Sequence, residues 1–426
     1  MLAGCGTLKD PPAASRAGDI ELPMAVPATF TTGAIWETAH AAQATVAVTP
    51  LGIVTLAETS KPDTYSPVLI APDTGKPRWT GEGVRASKDE IPTLAWVEEG
   101  DRPWVVLTVA DRTANTTTVY AFDGLASHED SPPTSTKVFT GATPEALPSV
   151  AISDTGIMVS RSTEGGYLQY HPDSGAITAL GTAPTRGGVA GTPLLVSDGG
   201  WLVTYDGIGF GYATTAGGWE SDKNIPTGAN AGGERVLQVG SGYVVSLWSG
   251  TDEGTRVLAL QDLQSGNVTA TILVDEQDEH TLLDEQIASD AAPHHLVSDS
   301  EWVTWGAFAF NNAQESGESI SIAGGNPVSI IQGMVYVEGA ERPLTGPDST
   351  PKPTPTPTVT PGAEPSPLPT ASATPERIKG FSGYVALDLA SGTPMPTAFE
   401  SAPLGISSYG QGIFANEDAI YAVPLR

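Results

Sequence analysis

The chain has 426 residues, of which 39% are hydrophobic and 16% charged, so it can bury a large core. Twenty Lys and Arg against 49 Asp and Glu leave a formal charge of −29, which repels phosphate backbones and excludes nucleic acid as a natural partner. No apolar run approaches the roughly twenty residues of a membrane-spanning helix.

Cys5, the single cysteine, ends the run Leu2-Ala3-Gly4-Cys5. This run resembles the lipobox of bacterial lipoproteins, in which an aliphatic residue and two small ones precede the cysteine that receives diacylglycerol. The resemblance implies lipidation at Cys5, with the apolar leader upstream of Met1. It also implies anchoring to the outer face of a bacterial cytoplasmic membrane, by at least two acyl chains. Residues 1–20 then read as lipobox remnant and flexible tether. Gly6 to Asp19 is small and polar and contains Pro11 and Pro12.

From residue 21 the chain repeats itself. Apolar bursts that follow Gly, Asp or Ser begin near Leu51, Pro103, Thr155, Gly199, Ser241, Ser300, Gln332 and Asp418, and each predicts a turn opening onto a buried strand. Most are followed by an acid and a Ser/Thr-Gly turn. The clear cases are Asp73-Thr74-Gly75, Asp173-Ser174-Gly175, Asp262 with Gly266, and Asp388 with Gly392. Weaker ones are Asp123-Gly124, Gly217-Gly218 and Gly324-Gly325. In such a hairpin Gly takes positive φ and the acid caps the turn's N–H groups.

Glycine steps of mostly 42 to 58 residues with almost no helical periodicity predict an all-β chain, a single β-propeller over residues 21–426. The count gives eight blades. Seven stays open, because Trp302 and Met334 lie only 32 residues apart and can share one blade. The stretch from Met24 to Trp36, with Thr31-Thr32-Gly33-Ala34-Ile35-Trp36, is expected to complete the last blade beside Ile420 to Val423, read here as an inner strand.

The repeats resemble the PQQ-binding-like, or quinoprotein-type, propeller family. Its blades end in an Ala-x-Asp-x-x-Thr-Gly-Lys-x-x-Trp docking motif. Ala71-Pro72-Asp73-Thr74-Gly75-Lys76-Pro77-Arg78-Trp79 is the nearest match, and Val385 to Gly392 the second. The resemblance implies a fold rather than a cofactor. The family's dehydrogenases carry a vicinal disulfide and a calcium site; one cysteine cannot form the former, and no acidic pair matches the latter, so no cofactor is expected.

Residues 347–376 stand apart. Ten prolines fall between Pro347 and Pro375, interleaved with Thr, Ser and Ala, a composition that cannot pair in a sheet. The segment reads as a disordered insertion within a blade, either a solvated excursion or an O-glycosylated, wall-spanning arm.

Catalytic motifs do not emerge. His40, His128, His171, His280, His294 and His295 lack spacings that set two ligands on one face, and the adjacent pair His294-His295 would point to opposite faces of a strand. Seven acids between Asp275 and Asp290 include no calcium loop. Leu282, Leu283 and Ile287 at helical spacing among them predict a short helix over one mouth of the ring. Gly405-Ile406-Ser407-Ser408-Tyr409 lacks the second Gly of a nucleophile elbow. Trp104, Trp201, Trp302 and Trp305 read as packing residues, with carbohydrate stacking open for one or two.

The sequence therefore predicts a monomeric, lipid-anchored, non-catalytic binding or scaffold propeller whose partner is an envelope protein or cell-wall polymer. The other reading is an enzyme with its site at the central channel, either a divergent quinoprotein or a glycan-cleaving propeller. Carboxylates about 5 to 9 Å apart at the mouth would favour glycan cleavage.

Overall fold

The computed structural model describes residues 20–426 apart from 88–89, 128–129, 144–145, 183, 198, 215–216, 276–279, 281–282, 285–286, 288–295, 320–325, 339–382 and 396–398. Cys5, the tether, His128, His294, His295, Gly324-Gly325 and the Pro/Thr insertion thus lie outside the described residues. The chain is all-β. Among the described residues the exceptions are a 3-10 turn at Ser221–Lys223 and helical backbone at His280, Leu283, Asp284 and Ile287. None of the described helices is long and apolar enough to cross a membrane.

The strands form successive four-stranded antiparallel meanders. The first sheet uses Ala47–Thr49, Gly52–Glu58, Thr64–Ile70 and Pro77–Thr80. The second uses Thr93–Glu99, Arg102–Asp111, Thr116–Asp123 and Ser135–Thr140. The third runs from Ser149–Ile152 to Ala176–Ala179, and the fourth from Thr192–Ser197 to Gly217–Glu220. A fifth, Ala229–Gly240 to Val268–Val274, and a sixth, Val297–Ser298 to Ser316–Ser319, are fused through one parallel pair, Thr271 with Ser316. The seventh spans Asn326–Ile331 to Thr393–Pro394. Gly405–Ile406, Gln411–Ala415 and Ala419–Pro424 form the eighth with Trp36–Ala39 from the other end of the chain. Trp302 and Met334 fall in different sheets, the sixth and the seventh.

The N-terminal strand pairs beside Ile420 to Val423 as predicted, and what differs is the rank of that partner strand in its sheet. Trp36 pairs with Ala422 and Thr38 with Ile420. Ile35 N–H donates to the Ala422 carbonyl at 2.8 Å and Thr31 N–H to that of Pro424 at 2.9 Å. Residues Ile420 to Val423, expected as an inner strand, lie between Gln411–Ala415 and Trp36–Ala39, second from the edge that the N-terminal strand makes. Seven of the apolar bursts lie on the second strand of their sheet, and the eighth lies on the third.

Burial of the second strands explains the bursts. Successive side chains on a strand face opposite ways, so a strand covered on both sides reads as a continuous apolar run. Val54 and Leu56 pack toward the second sheet, whereas Ile53 packs toward the eighth. Val105 and Leu107 share the first sheet's cluster; Trp104 and Val106 join the third's. The same alternation separates Val244 from Val245, Trp302 from Val303 and Val335 from Tyr336. Apolar clusters join each sheet to the next, and one containing Trp36, Ile413 and Ile420 with Ile53, Val68 and Ile70 joins the eighth to the first.

The two spacings of acid and glycine have one geometric cause. In both, the glycine N–H closes the turn on the carbonyl four residues earlier: Gly75 on Ala71, Gly175 on His171, Gly266 on Asp262. Where the acid occupies that fourth position it also caps: Asp262 Oδ1 accepts from Ser265 N–H at 2.7 Å, and Asp388 Oδ1 from Ala390 and Ser391 N–H at 2.9 Å. Asp73 and Asp173 instead sit inside the turn.

Two of these turns dock under tryptophans of the preceding sheet. Trp36 Nε1 donates to the Pro72 carbonyl and Trp219 Nε1 to that of Leu263, each at 2.9 Å. The indoles lie against Gly75 and Gly266, where a Cβ would come within 2.6 and 2.4 Å of a ring atom. The indole on the first sheet's turn thus comes from Trp36, not from Trp79, which ends that same run and stacks on Phe122.

Candidate functional site

In an antiparallel meander the turn between the second and third strands lies at the same end as the connections to neighbouring sheets. At that end, between the second and third sheets, two clefts of about 430 and 340 Å³ share Arg112, Leu147 and Pro148. The larger lobe adds Asn115, Ala146, Ser149 and Arg161; the smaller adds Glu90, Ile91, Thr93, Thr108, Ala110, Thr117 and Val150.

Local structure fixes this lining. Arg112 projects from the turn joining Arg102–Asp111 to Thr116–Asp123, where Asp111 Oδ1 accepts from Thr113 and Ala114 N–H, both at 2.9 Å. Asn115 closes that turn at φ 53° and donates from Nδ2 to the Thr143 carbonyl at 2.8 Å. Arg161 occupies the matching turn of the third sheet at φ 61°, and its carbonyl accepts from Ala142 N–H at 2.8 Å. Left-handed backbone at a non-glycine residue costs of order 1 kcal/mol, so both turns are held by their surroundings. Thr117 Oγ1 donates to the Pro148 carbonyl at 3.0 Å and pins the floor between the lobes.

The charge is unevenly placed. Arg112 and Arg161 face the larger lobe, which no described carboxylate lines. Glu90 lines the smaller lobe and reaches Arg112 Nε at 3.5 Å; Arg112 is 80% exposed, so solvent screens that pair. The cleft offers guanidinium donors beside a patch of Leu147, Pro148 and Ile91, an arrangement that can hold a small anionic group.

A second polar cluster is built for packing. Glu234, fully buried, accepts from Ser221 Oγ and, at 2.8 Å, from Gly232 N–H; Arg186 Nη1 lies 3.6 Å from its carboxylate, and Arg186 Nη2 reaches Asp222 at 3.2 Å. It ties the Thr185–Arg186 and Val189–Ala190 hairpin to the fourth and fifth sheets.

Among the described residues, those singled out in the sequence do not meet. His40 Nε2 bonds the Asn416 carbonyl at 2.8 Å, His171 lies 3.0 Å from both Glu99 and Thr178, and His280 is helical. Among the described residues no three of His, Cys, Asp or Glu gather as a metal site. Ser407 is buried, donating to Gln411 Oε1 at 3.1 Å and accepting from Tyr409 N–H, so it shapes a turn. Leu283 is buried and Ile287 packs against the cluster that joins the fifth and sixth sheets; Leu282 lies outside the described residues. Trp104, Trp302 and Trp305 are buried as expected of packing residues. Sequence reasoning missed Arg112 and Arg161; their shared position at second-to-third turns, in a chain poor in cations, was the available signal.

No protein-family model matches the chain, and no curated protein does. Among solved structures, the computationally designed Ika8 protein is 11% identical over 91% of this chain and 98% of its own, with a TM-score of 0.42. A chain of a mitotic checkpoint complex is 10% identical over 97% of each, at TM-score 0.36. The AfRom2 CNH domain is 9% identical over 62% of this chain and 76% of its own, at TM-score 0.29.

Proposed function

We propose that the eight sheets close into a single eight-bladed β-propeller and that this disc is an extracytoplasmic, non-catalytic binding module, tethered by lipid on Cys5 and acting on an envelope protein or polymer. The cluster uniting the eighth sheet with the first supports closure, because every sheet then has two neighbours. Tryptophan docking on Gly75 and Gly266 supports kinship with quinoprotein-type propellers. The observation that carries the binding reading is the two-lobed cleft of Arg112 and Arg161, cationic in a chain of charge −29.

Crosslinking on intact cells, with captured partners identified, tests the function. Recovery of one envelope protein or wall fragment supports it. Turnover of a sugar or alcohol by the purified chain, with nothing captured, replaces it by the channel enzyme. Labelling with a fatty-acid probe that is lost in Cys5→Ser tests the anchor.

A further inference from the structure

We infer that the larger lobe of the cleft between the second and third sheets is an oxyanion site, taking a phosphate or carboxylate group carried on a small unit of the bound partner. This rests on the binding reading above and names the chemistry of its ligand.

Arg112 and Arg161 come from equivalent turns of adjacent sheets and line one cavity of about 430 Å³, enough for a single sugar- or amino-acid-sized unit. A planar guanidinium presents a fork of donors that matches two oxygens of one phosphate or carboxylate. Asp111, nearest in sequence, has an oxygen already taken by Thr113 and Ala114 N–H, and among the described residues Arg161 has no carboxylate partner. Asn115 is not free to compete, because its amide holds Thr143. With 49 acids against 20 Lys and Arg, the chain repels anions at long range, so attraction must be local, and among the described residues the lining of this lobe holds two guanidiniums and no carboxylate. The neighbouring lobe adds Thr93, Thr108 and Glu90, which suit the hydroxyls of the unit that carries the anion.

Calorimetric titration of the full chain with inorganic phosphate, glucuronate and glucose separates the sources. Binding of phosphate or glucuronate but not glucose, weakened tenfold or more in Arg112→Gln and in Arg161→Gln and by added salt, supports the site and says which oxyanion it prefers. Arg85→Gln, on the short strand Val84–Arg85 outside the cleft, serves as the folded control and leaves binding unchanged. Equal binding of glucose, undiminished binding in both cleft variants, or no heat with either anion overturns it. Crosslinking the double variant separates this failure from the larger one: undiminished partner capture refutes the cleft alone, whereas no capture by the wild type refutes the binding reading.

Discussion

Trp36 and Pro72 are joined by a 2.9 Å hydrogen bond from indole to carbonyl, and that contact links a strand of the eighth sheet to a turn of the first. The indole face covers Gly75, whose φ is +68°. Gly75→Ala combines a strained backbone with a Cβ 2.6 Å from the ring, and a loss of about 2 to 5 kcal/mol is expected. Trp36→Phe keeps most of the ring but loses the donor, at about 1 kcal/mol. Urea denaturation of both variants checks the order; equal effects would mean that the ring contact is irrelevant.

Ile35 N–H bonds the Ala422 carbonyl while its side chain is partly exposed. Ile35→Pro removes the donor without emptying a core position, and should cost about 1 to 3 kcal/mol through the Ala422 carbonyl it leaves unpaired. Amide exchange should quicken in Gln411–Ala415 and Ala419–Pro424 before it does in the third sheet. Uniform acceleration would show that the pairing does not hold the eighth sheet locally.

Arg186→Ala leaves the Glu234 carboxylate buried beside Ser221 with its cation removed. Breaking one partner of a buried pair costs about 3 to 5 kcal/mol. Arg186→Ala combined with Glu234→Gln should recover part of the loss, because the uncompensated charge is gone. A double variant no more stable than Arg186→Ala would remove electrostatics from the explanation.

Burial pushes the Tyr170 and Tyr336 hydroxyls above the ordinary phenol value of 10.0, against smaller opposing effects of hydrogen bonds to Ser135 and Thr29. The folded chain keeps these protons after the unfolded chain has begun to release them. Their contribution is therefore complete below pH 10 and is lost as pH rises through the raised folded values. Denaturation midpoints measured from pH 8 to about 11.5 should fall most steeply above 10. Tyr170→Phe should flatten that fall even though it loses about 1 kcal/mol at neutral pH with the Ser135 bond. An unchanged slope would exclude this hydroxyl.

Strand identity was legible where both faces of a strand are buried, since runs such as Ile53-Val54-Thr55-Leu56 leave no polar side. The eighth burst misled because Ile420 to Val423 is as thoroughly buried as any second strand while standing third. In the sixth sheet the turn marker sought at Gly324-Gly325 is supplied earlier: Asn311 Oδ1 caps Ala313 and Gln314 N–H, and Glu315 takes φ 54° without glycine. The cleft was harder to read because Arg112 and Arg161 are brought together only by the packing of two sheets, and their one trace in the sequence, an arginine at the second-to-third turn of both, gains meaning only once the strands are assigned.

The eighth sheet takes one strand from residues 36–39 and the others from 405–424. A nascent chain released amino end first must keep Trp36 and the outer face of Ile53 wet until residues 405–424 have been made. Such remote pairing makes assembly slow, because the long loop must close before its contacts stabilise it. During synthesis the vulnerable species is then an array that still lacks its eighth sheet and carries two sticky edges, a state in which one molecule's Trp36–Ala39 can dock on another's Ala419–Pro424.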